Sequence, residues 1–443
     1  MTRPMKDSGI EWIGEIPENW KTIKVKYTSW LKGRIGWQGL TANEYTDVGP
    51  FLITGTDFYN GTINWNTCVH ITKKRFDEDS DIHVKEGDLL ITKDGTIGKV
   101  AIVKNCPSEV SLNSGVLLIR NERKYKYFDK YMYYVLLSDE FWRWYTLSQT
   151  GQSTIKHLYQ AQFYDFEFSF PDFQEQQLIA DFLDEKCTEI DGVIEKTRAS
   201  SEEYKKLKQA VITQAVTKGI RPNRPMKDSG IEWIGKIPAE WKLCRLRHIG
   251  STQNGISKGG EYFGQGYPFV SYGDVYRNYS LPYELKGLIQ STKEEQELYS
   301  VKRGDIFFTR TSETIEEVGF SSVCERTIPK ATFAGFLIRV RPYDDTLEPG
   351  FSKYYFRSNH HRFYLVKQMN LVTRASLGQP LLKGMPVLVP NKDEQIEITS
   401  YLDKKCADID NLIMNKETLI SELEYYKKSL IFEYVTGKKE VPA

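Results

Sequence analysis

The chain contains the same segment twice. Residues 3–21 and 224–242 are identical at sixteen of nineteen positions, an offset of 221 residues. A second pair of similar segments, residues 171–191 and 390–410, follows at an offset of 219 residues. A repeat of this length predicts two copies of one structural unit, and such copies tend to associate about a pseudo-twofold axis.

Each copy has a lead-in, a variable block and a helical block. We predict lead-ins at 1–21 and 222–242, variable blocks at 22–170 and 243–389, and helical regions at 171–221 and 390–443. Short β-branched and aromatic runs, broken by Gly, Asn and Asp, predict mixed α/β domains for the variable blocks. These blocks share only a thin frame, which includes Gly87-Asp88 and Gly304-Asp305 before apolar runs.

The helical blocks carry apolar residues at alternating spacings of four and three, which predicts a coiled-coil seam. Each helix should run about 40 residues, or roughly 60 Å, from Pro171 or Pro390 to Gly219 or Gly437. The predicted pairing and partner-docking positions are Leu183, Cys187, Ile190, Ile194, Leu402, Cys406, Ile409 and Ile413.

Two interpretations of these helices are open. They could be separate stalks that dimerise with other chains, or they could pair with each other. We favour pairing, because a twofold axis perpendicular to two copies of a helix makes the helices antiparallel. The variable blocks would then lie at opposite ends of a rod.

The charge is almost balanced, with 60 Lys+Arg against 59 Asp+Glu. This balance argues against binding of polyanions by the whole surface but allows basic patches. Residues 349–392 contain no Asp or Glu, and residues 141–164 form a weaker acid-free counterpart. A solvated helix face would explain one such stretch, whereas two in matching positions favour nucleic acid.

Candidate DNA contacts are the polar and basic residues of these stretches and of Gly-flanked loops, because such side chains bond phosphates and base edges. In the first variable block they are Arg34, Trp37, Gln38, Lys93, Gln149, Gln152, Ser153, Thr154 and Lys156. In the second they are Lys258, Arg310, Thr311, Arg357, Arg362, Lys367, Arg374 and Gln379. For Trp37, core packing is favoured over base stacking.

Catalytic motifs are missing from the sequence. The run from Gly95 to Lys99 lacks the spacing of a phosphate-binding loop, and no Asp/Asn-Pro-Pro-Tyr/Phe run of an amino-methyltransferase occurs. The six cysteines form no CxxC pair, so neither a disulfide framework nor a metal site is predicted. Without an apolar run of about 18 residues or a signal-like start, we expect a cytoplasmic protein and no membrane contact.

This arrangement resembles the specificity subunits of type I restriction-modification systems. The resemblance rests on the SGIEWIGEIPENW lead-in, the apolar-Pro steps at Phe170-Pro171 and Val389-Pro390, and the Glu-Gln to Leu-Asp segment before each long helix. Each feature occurs twice in the same order. The stretch from Gly33 to Trp65 is also similar to a target recognition domain of that family.

The resemblance implies an α+β (mixed α/β) fold, with two globular target recognition domains separated by a pair of long antiparallel coiled-coil helices. Each recognition domain would read one half of a bipartite, asymmetric site in double-stranded DNA. The helices would set the spacer length and dock two methyltransferase subunits, and restriction subunits would join them.

The chain itself would be non-catalytic and would hold no cofactor, because S-adenosylmethionine belongs to the methyltransferase subunit. Two alternatives are a coiled-coil adaptor that does not contact DNA and a fused DNA-modifying enzyme.

Overall fold

The computed structural model describes residues 3–34, 40–149, 157–312, 318–368 and 375–442. The chain divides into a first unit, residues 1–197 and 418–443, and a second unit, residues 198–417. Each unit therefore combines one variable block and its lead-in with part of both helical blocks. No described helix is long and apolar enough to cross a membrane.

The first unit contains short strands and helices followed by one long helix. Its strands are β1 Met5–Asp7, β2 Glu15–Pro17, β3 Lys21–Lys24, β4 Trp30–Lys32, β5 Thr46–Ile53, β6 Phe58–Tyr59, β7 Thr62–Ile63, β8 Val69–His70, β9 Leu89–Thr92, β10 Val100–Ile102, β11 Val110–Leu112, β12 Val116–Arg120 and β13 Glu167–Phe170. Its helices are α1 Val25–Thr28, α2 Lys73–Phe76, α3 Asp129–Leu137, α4 Asp139–Ser148, α5 Gln160–Phe163 and the start of α6 Phe173–Lys218.

The second unit repeats this order. Its strands are β14 Met226–Asp228, β15 Lys236–Pro238, β16 Lys242–Arg245, β17 Gly250–Asn254, β18 Phe263–Val270, β19 Leu288–Ile289, β20 Ile306–Thr309, β21 Thr311–Ser312, β22 Ser321–Val323, β23 Thr332–Phe333, β24 Leu337–Pro342, β25 Ala375–Ser376 and β26 Pro386–Val389. Its helices are α7 Tyr272–Arg277, α8 Lys293–Leu298, α9 Pro349–Tyr355, α10 Asn359–Gln368, α11 Gln379–Gly384 and most of α12 Lys392–Val435.

The two variable blocks have one topology although their sequences differ. An antiparallel sheet of order β10-β9-β12-β4 in the first unit corresponds to β22-β20-β24-β17 in the second. A second sheet pairs β5 with β11 in parallel, and its counterpart pairs β18 with β23 in parallel. The central strands β9 and β20 are buried along their whole length, which explains their continuous apolar sequences.

The shared Gly-Asp dipeptides, Gly87-Asp88 and Gly304-Asp305, stabilise the four-stranded sheet of each unit. Asp88 accepts hydrogen bonds from Nε and Nη2 of Arg120 at 2.8 and 2.7 Å, and Asp305 accepts the same two bonds from Arg341 at 2.7 and 2.6 Å. The preceding Gly304 has a φ of 90°, which only glycine adopts readily. The shared dipeptide therefore encodes a tight turn and a partly buried bidentate ion pair.

The long helices begin and end where the sequence predicts. Asp172 and Asn391 cap the first turns by accepting hydrogen bonds from the backbone N–H groups of Glu175 and Glu394, both at 2.9 Å. Gly219 and the Gly at 437 follow the last turns with φ of 74° and 69°. The helices contain 46 and 44 residues.

The helices pair with each other, and they do so in antiparallel orientation. In the first unit, Phe182 of α6 stacks near Tyr434 of α12 with ring centroids 4.6 Å apart, while Asp191 bonds Lys427 at 2.6 Å. In the second unit, the equivalent ion pair joins Lys208 to Asp410 at 2.6 Å. Two lysines that interrupt the apolar seam, Lys208 and Lys427, are therefore paired with acids of the facing helix.

Seam positions of α6 lie in the core of the first unit, and those of α12 lie mainly in the core of the second. Buried there are Leu183, Cys187, Ile190, Ile194, Leu402, Cys406 and Ile409. Ile413 is only half-buried.

We expect Asp305→Asn to lower the free energy of unfolding of the second unit by about 3 kcal/mol, because the Arg341 guanidinium loses its carboxylate partner. Hydrogen exchange of peptides from the second unit measures this change. Asp408→Asn is the matched control, since Asp408 is exposed and has no partner among the described residues. Equal protection in both variants would contradict a stabilising role of the ion pair.

The second residues of α4 and α10, Glu140 and His360, have pKa values that are shifted in opposite directions. Burial raises the pKa of Glu140 to about 8, although Ser169 donates two hydrogen bonds to it and Lys438 lies nearby. Burial, together with the charge of Lys218, lowers the pKa of His360 to about 4.

Glu140 folds as the neutral acid, so the first unit should lose stability as the pH rises from about 4.5 towards 8. His360 folds neutral, so the second unit should lose stability as the pH falls from about 6.5 towards 4. Hydrogen exchange of peptides from each unit at pH 5 and pH 8 checks both signs. Glu140→Gln should flatten the pH dependence of the first unit alone; an unchanged slope would contradict this assignment.

Candidate nucleic-acid interface

The first unit brings several Gly-flanked loops together at the end of β9. Lys93 follows that strand, its backbone N–H donates to the Gly115 carbonyl at 2.8 Å, and its own carbonyl accepts from Leu158 at 3.0 Å. The next residue, Asp94, bonds Nδ1 of His157. We call Lys93, Asp94, Gly115 and His157 the first rim.

The second unit builds the same corner at the end of β20. Arg310 donates its backbone N–H to the Phe336 carbonyl at 3.0 Å, and its carbonyl accepts from Leu377 at 2.7 Å. The edge strand β17 ends beside it at Asn254, whose amide oxygen accepts a hydrogen bond from Gln379 at 2.9 Å. We call Asn254, Arg310, Phe336 and Gln379 the second rim.

Lys93 and Arg310 occupy equivalent positions. Each follows the buried central strand, and each is held by two equivalent backbone hydrogen bonds. Both side chains are half-exposed, and neither forms an ion pair or side-chain hydrogen bond with the described residues. A cation kept in one place without a counter-charge suits contact with an anionic ligand.

The rims differ in everything except this cation. The first rim carries the Asp94–His157 pair, whereas the second rim carries amide side chains and Phe336, which is 66% exposed. One frame therefore presents two chemically distinct surfaces. Distinct side chains on a common frame are what two different half-sites of a ligand require.

Two regions of the chain, residues 17–197 and 238–425, match the family model described as the type I restriction modification DNA specificity domain. The chain belongs to this family. The resemblance noted from the lead-ins and helices is thereby confirmed.

Relatives of this specificity-domain protein match along nearly the whole chain. The type I restriction enzyme MjaVIII specificity subunit of Methanocaldococcus jannaschii is 23% identical, over 96% of this chain and 94% of that protein. The type I restriction enzyme EcoKI specificity subunit of Escherichia coli K12 is 21% identical, over 96% of this chain and 90% of that protein.

Solved structures confirm the fold class. One is a chain from structures that address complex assembly and conformational transition of the type I R-M system. It superposes with a TM-score of 0.73 at 15% identity, covering 96% of this chain and 99% of that chain. The HsdS subunit of Thermoanaerobacter tengcongensis superposes with a TM-score of 0.52 at 15% identity, covering 96% and 98%.

Seven candidate DNA contacts of the specificity-domain protein lie outside the described residues: Trp37, Gln38, Gln152, Ser153, Thr154, Lys156 and Arg374. Of the others, Lys93 lies in the first rim, and Arg310 and Gln379 lie in the second. Thr311 follows Arg310 in β21 and pairs with Ser376. Gln149 lies beside the first rim, with its amide 3.5 Å from the His157 carbonyl.

Three predicted DNA contacts are arginines that bond groups of the protein itself, which argues against contact of these side chains with DNA. Arg34 is 1% exposed and donates to the Leu112 carbonyl at 2.9 Å. Arg357 donates to four backbone carbonyls, including Ser321 at 2.7 Å, and Arg362 donates to the Val318 carbonyl. Backbone carbonyls already occupy these guanidinium donors.

Two lysines are also engaged elsewhere. Lys258 bonds Glu295 at 2.6 Å and the Gln290 carbonyl at 2.9 Å. Lys367 packs over Trp233 at 5.5 Å and lines a cavity of about 580 Å³ that also contains His360.

Two lysines in the described part of the acid-free stretch 349–392 are paired with acids from outside it. Lys353 bonds Asp403 at 2.9 Å and Glu325 at 3.2 Å, and Lys392 bonds Asp345. Acids from outside the stretch thus neutralise these cations.

Sequence reasoning missed Asn254 and His157. A signal for Asn254 was present in the Thr-Gln-Asn-Gly run at the end of β17, because alternate residues of a strand share one face. His157 carried no such signal, since its partner Asp94 is 63 residues away.

The described residues hold no cluster of three or more His, Cys, Asp or Glu side chains that could bind a metal ion. All six cysteines are free thiols.

Proposed function

We propose that this chain is the specificity subunit of a type I restriction-modification complex, and that each unit reads one half of a bipartite, asymmetric DNA site. The observation that carries the proposal is the pair of unpartnered cations, Lys93 and Arg310, at the same corner of two different rims. The names of the relatives support the same role. The chain itself takes no part in catalysis under this proposal.

The rims would position the units through phosphate contacts and read sequence through their differing side chains. Identical frames with different rims would make the recognised site asymmetric. The Asp94–His157 pair and the Asn254–Gln379 pair would contact different base edges, so neither half-site would repeat the other.

Partner subunits would dock on the outer faces of α6 and α12. Seven of the eight seam residues predicted for docking are buried. We therefore assign docking to the apolar side chains that the helices expose. On α6 and α12 these are Leu178, Val193, Leu207, Ile396, Leu412, Met414, Leu419, Tyr425 and Tyr426. Exposed apolar residues in such numbers favour protein contact.

Two methyltransferase subunits would occupy these faces and would carry S-adenosylmethionine and the adenine-N6 chemistry. Restriction subunits would join the assembled complex. The predicted cytoplasmic location fits a complex that acts on chromosomal DNA.

Gel-shift experiments with and without the methyltransferase partner test the proposal. Sequence-specific binding by the assembled complex, without methyl transfer by the lone chain, is the expected result. Methyl transfer or DNA cleavage by the purified chain would favour a fused enzyme. Failure of the assembled complex to bind DNA would favour an adaptor.

Lys93→Ala and Arg310→Ala should each weaken binding of the assembled complex to its DNA site. Loss of a phosphate contact would lower the salt slope of the binding constant by about one. Loss of a base contact would instead cost about 1–3 kcal/mol of binding free energy and relax the sequence specificity at one base pair. Binding isotherms at several salt concentrations distinguish these outcomes.

Lys85→Ala and Lys302→Ala are matched controls. They lie at the opposite ends of the same strands, and both side chains are exposed. Equal losses in the rim and control variants would mean that the rims have no special role.

The helices should set the spacer between the half-sites. Inserting one heptad after Ser200 and another after Leu419, which are equivalent positions of the repeat, keeps the seam in phase and adds about 10 Å of helix. The unspecified spacer should lengthen by about three base pairs at about 3.4 Å each.

Sequencing of modified adenines in a strain that carries both insertions measures the spacer. Insertion into α6 alone is the control, because it puts the seam out of register and should abolish methylation. An unchanged spacer in the double insertion would disprove the claim that the helices set the spacer length.

A further inference from the structure

Three polar side chains of the second unit form a hydrogen-bonded relay. Thr252 and Asn254 lie on one face of the edge strand β17, and Gln379 begins α11 opposite them. The Thr252 hydroxyl donates to Oε1 of Gln379 at 2.6 Å, and Nε2 of Gln379 donates to Oδ1 of Asn254 at 2.9 Å. Each step joins residues more than a hundred positions apart in sequence.

The direction of these two hydrogen bonds decides which polar groups of Gln379 and Asn254 stay available to a ligand. Both side-chain carbonyl oxygens accept a hydrogen bond from within the relay. Three N–H bonds are left unused, two on Nδ2 of Asn254 and one on Nε2 of Gln379, whereas each amide oxygen already accepts one hydrogen bond. No described residue accepts from these N–H bonds, and both side chains are partly exposed.

Arg310 adds further donors at the same corner. Its carbonyl accepts from the N–H of Leu377, two residues before Gln379, and its guanidinium has no partner among the described residues. The second rim therefore offers N–H donors from an amide pair and a cation.

The described residues of the first unit form no such relay. Gln160 begins α5 as Gln379 begins α11, but its amide donates to the Leu31 carbonyl at 2.9 Å. The Asp94–His157 pair lies in the first rim instead. Within the part of the chain that the structure describes, this donor-rich surface thus belongs to the second rim alone.

We propose that Asn254 reads a guanine in the half-site of the second unit. In the major groove, guanine presents two acceptors, O6 and N7. Adenine and cytosine present an amino donor that would oppose the Asn254 N–H bonds, and thymine presents only one acceptor, O4, beside its methyl group. Gln379 and Thr252 act as positioning residues that fix which way the amide faces. This inference rests on the proposed function, because it requires that the second unit contacts base edges.

Selection from a randomised DNA pool by the assembled methyltransferase complex tests the proposal. Asn254→Asp replaces the amide donors with a second acceptor while keeping the shape of the side chain. At one position of one half-site, the wild type should prefer guanine. The enrichment of guanine there should fall by about tenfold or more in the variant, which should prefer cytosine instead. The half-site of the first unit, read in the same experiment, should not change.

Thr252→Val tests the positioning role. Without the hydroxyl donor, the Gln379 amide can turn over, so guanine and adenine should both be accepted at the same position while overall binding persists. A purely structural role for Thr252 would change stability, measured as the melting temperature, but not the base preference.

Asn223→Asp is the matched control, because Asn223 is exposed and lies between α6 and β14. A wild-type preference for adenine, cytosine or thymine at the position altered in Asn254→Asp, or no position altered in a folded variant, would overturn the inference. If the wild-type complex enriches no bipartite site at all, the proposed function fails instead.

Discussion

A carboxylate at the start of each long helix, fully buried in the second unit and partly buried in the first, holds the lead-in, the sheet and the helix together. Glu394 is 0% exposed and accepts hydrogen bonds from Arg224 and from the Trp241 indole at 2.9 Å. Burial alone would raise the pKa of Glu394, but these hydrogen bonds outweigh it and keep the pKa below its ordinary value. In the first unit, Glu175 receives the same bonds from Arg3 and Trp20. Removing a partner of Glu394 would leave a buried charge uncompensated, which is strongly destabilising.

The neighbouring glutamine extends this anchor into the variable block. Gln176 accepts from the N–H of Phe128 at 2.8 Å, and Gln395 accepts from that of Glu348 at 2.8 Å. Both residues bridge the helix to the segment before the variable block's own helices, and both are almost fully buried. The repeated residues are therefore the ones that fix the junctions between elements. The strands between those junctions need only be apolar and of the right length, which is why two dissimilar sequences adopt one topology.

The repeat, the helix boundaries and the seam could all be predicted from sequence, because each depends on local signals such as caps, glycines and apolar spacing. The rims could be predicted only in part. Sequence reveals that Arg34 and Arg357 are charged, but their burial against backbone carbonyls depends on loops that fold over them. The acid-free stretch misled for a related reason, since Lys353 finds its counter-charge at Asp403, fifty residues away. Charge along a chain and charge on a surface are different quantities, and long-range packing connects them.

The interiors have diverged as well as the rims. The position that is Glu140 in the first unit is His360 in the second, and burial shifts their pKa values in opposite directions. Such a change is tolerated because neither residue belongs to the junctions that Glu175 and Glu394 organise. Each unit can therefore alter its own core and rim while the anchors and helix seams stay constant. In the proposed role, one half-site could change without disturbing the other, because the cations Lys93 and Arg310 are held by backbone hydrogen bonds that do not depend on the side chains around them.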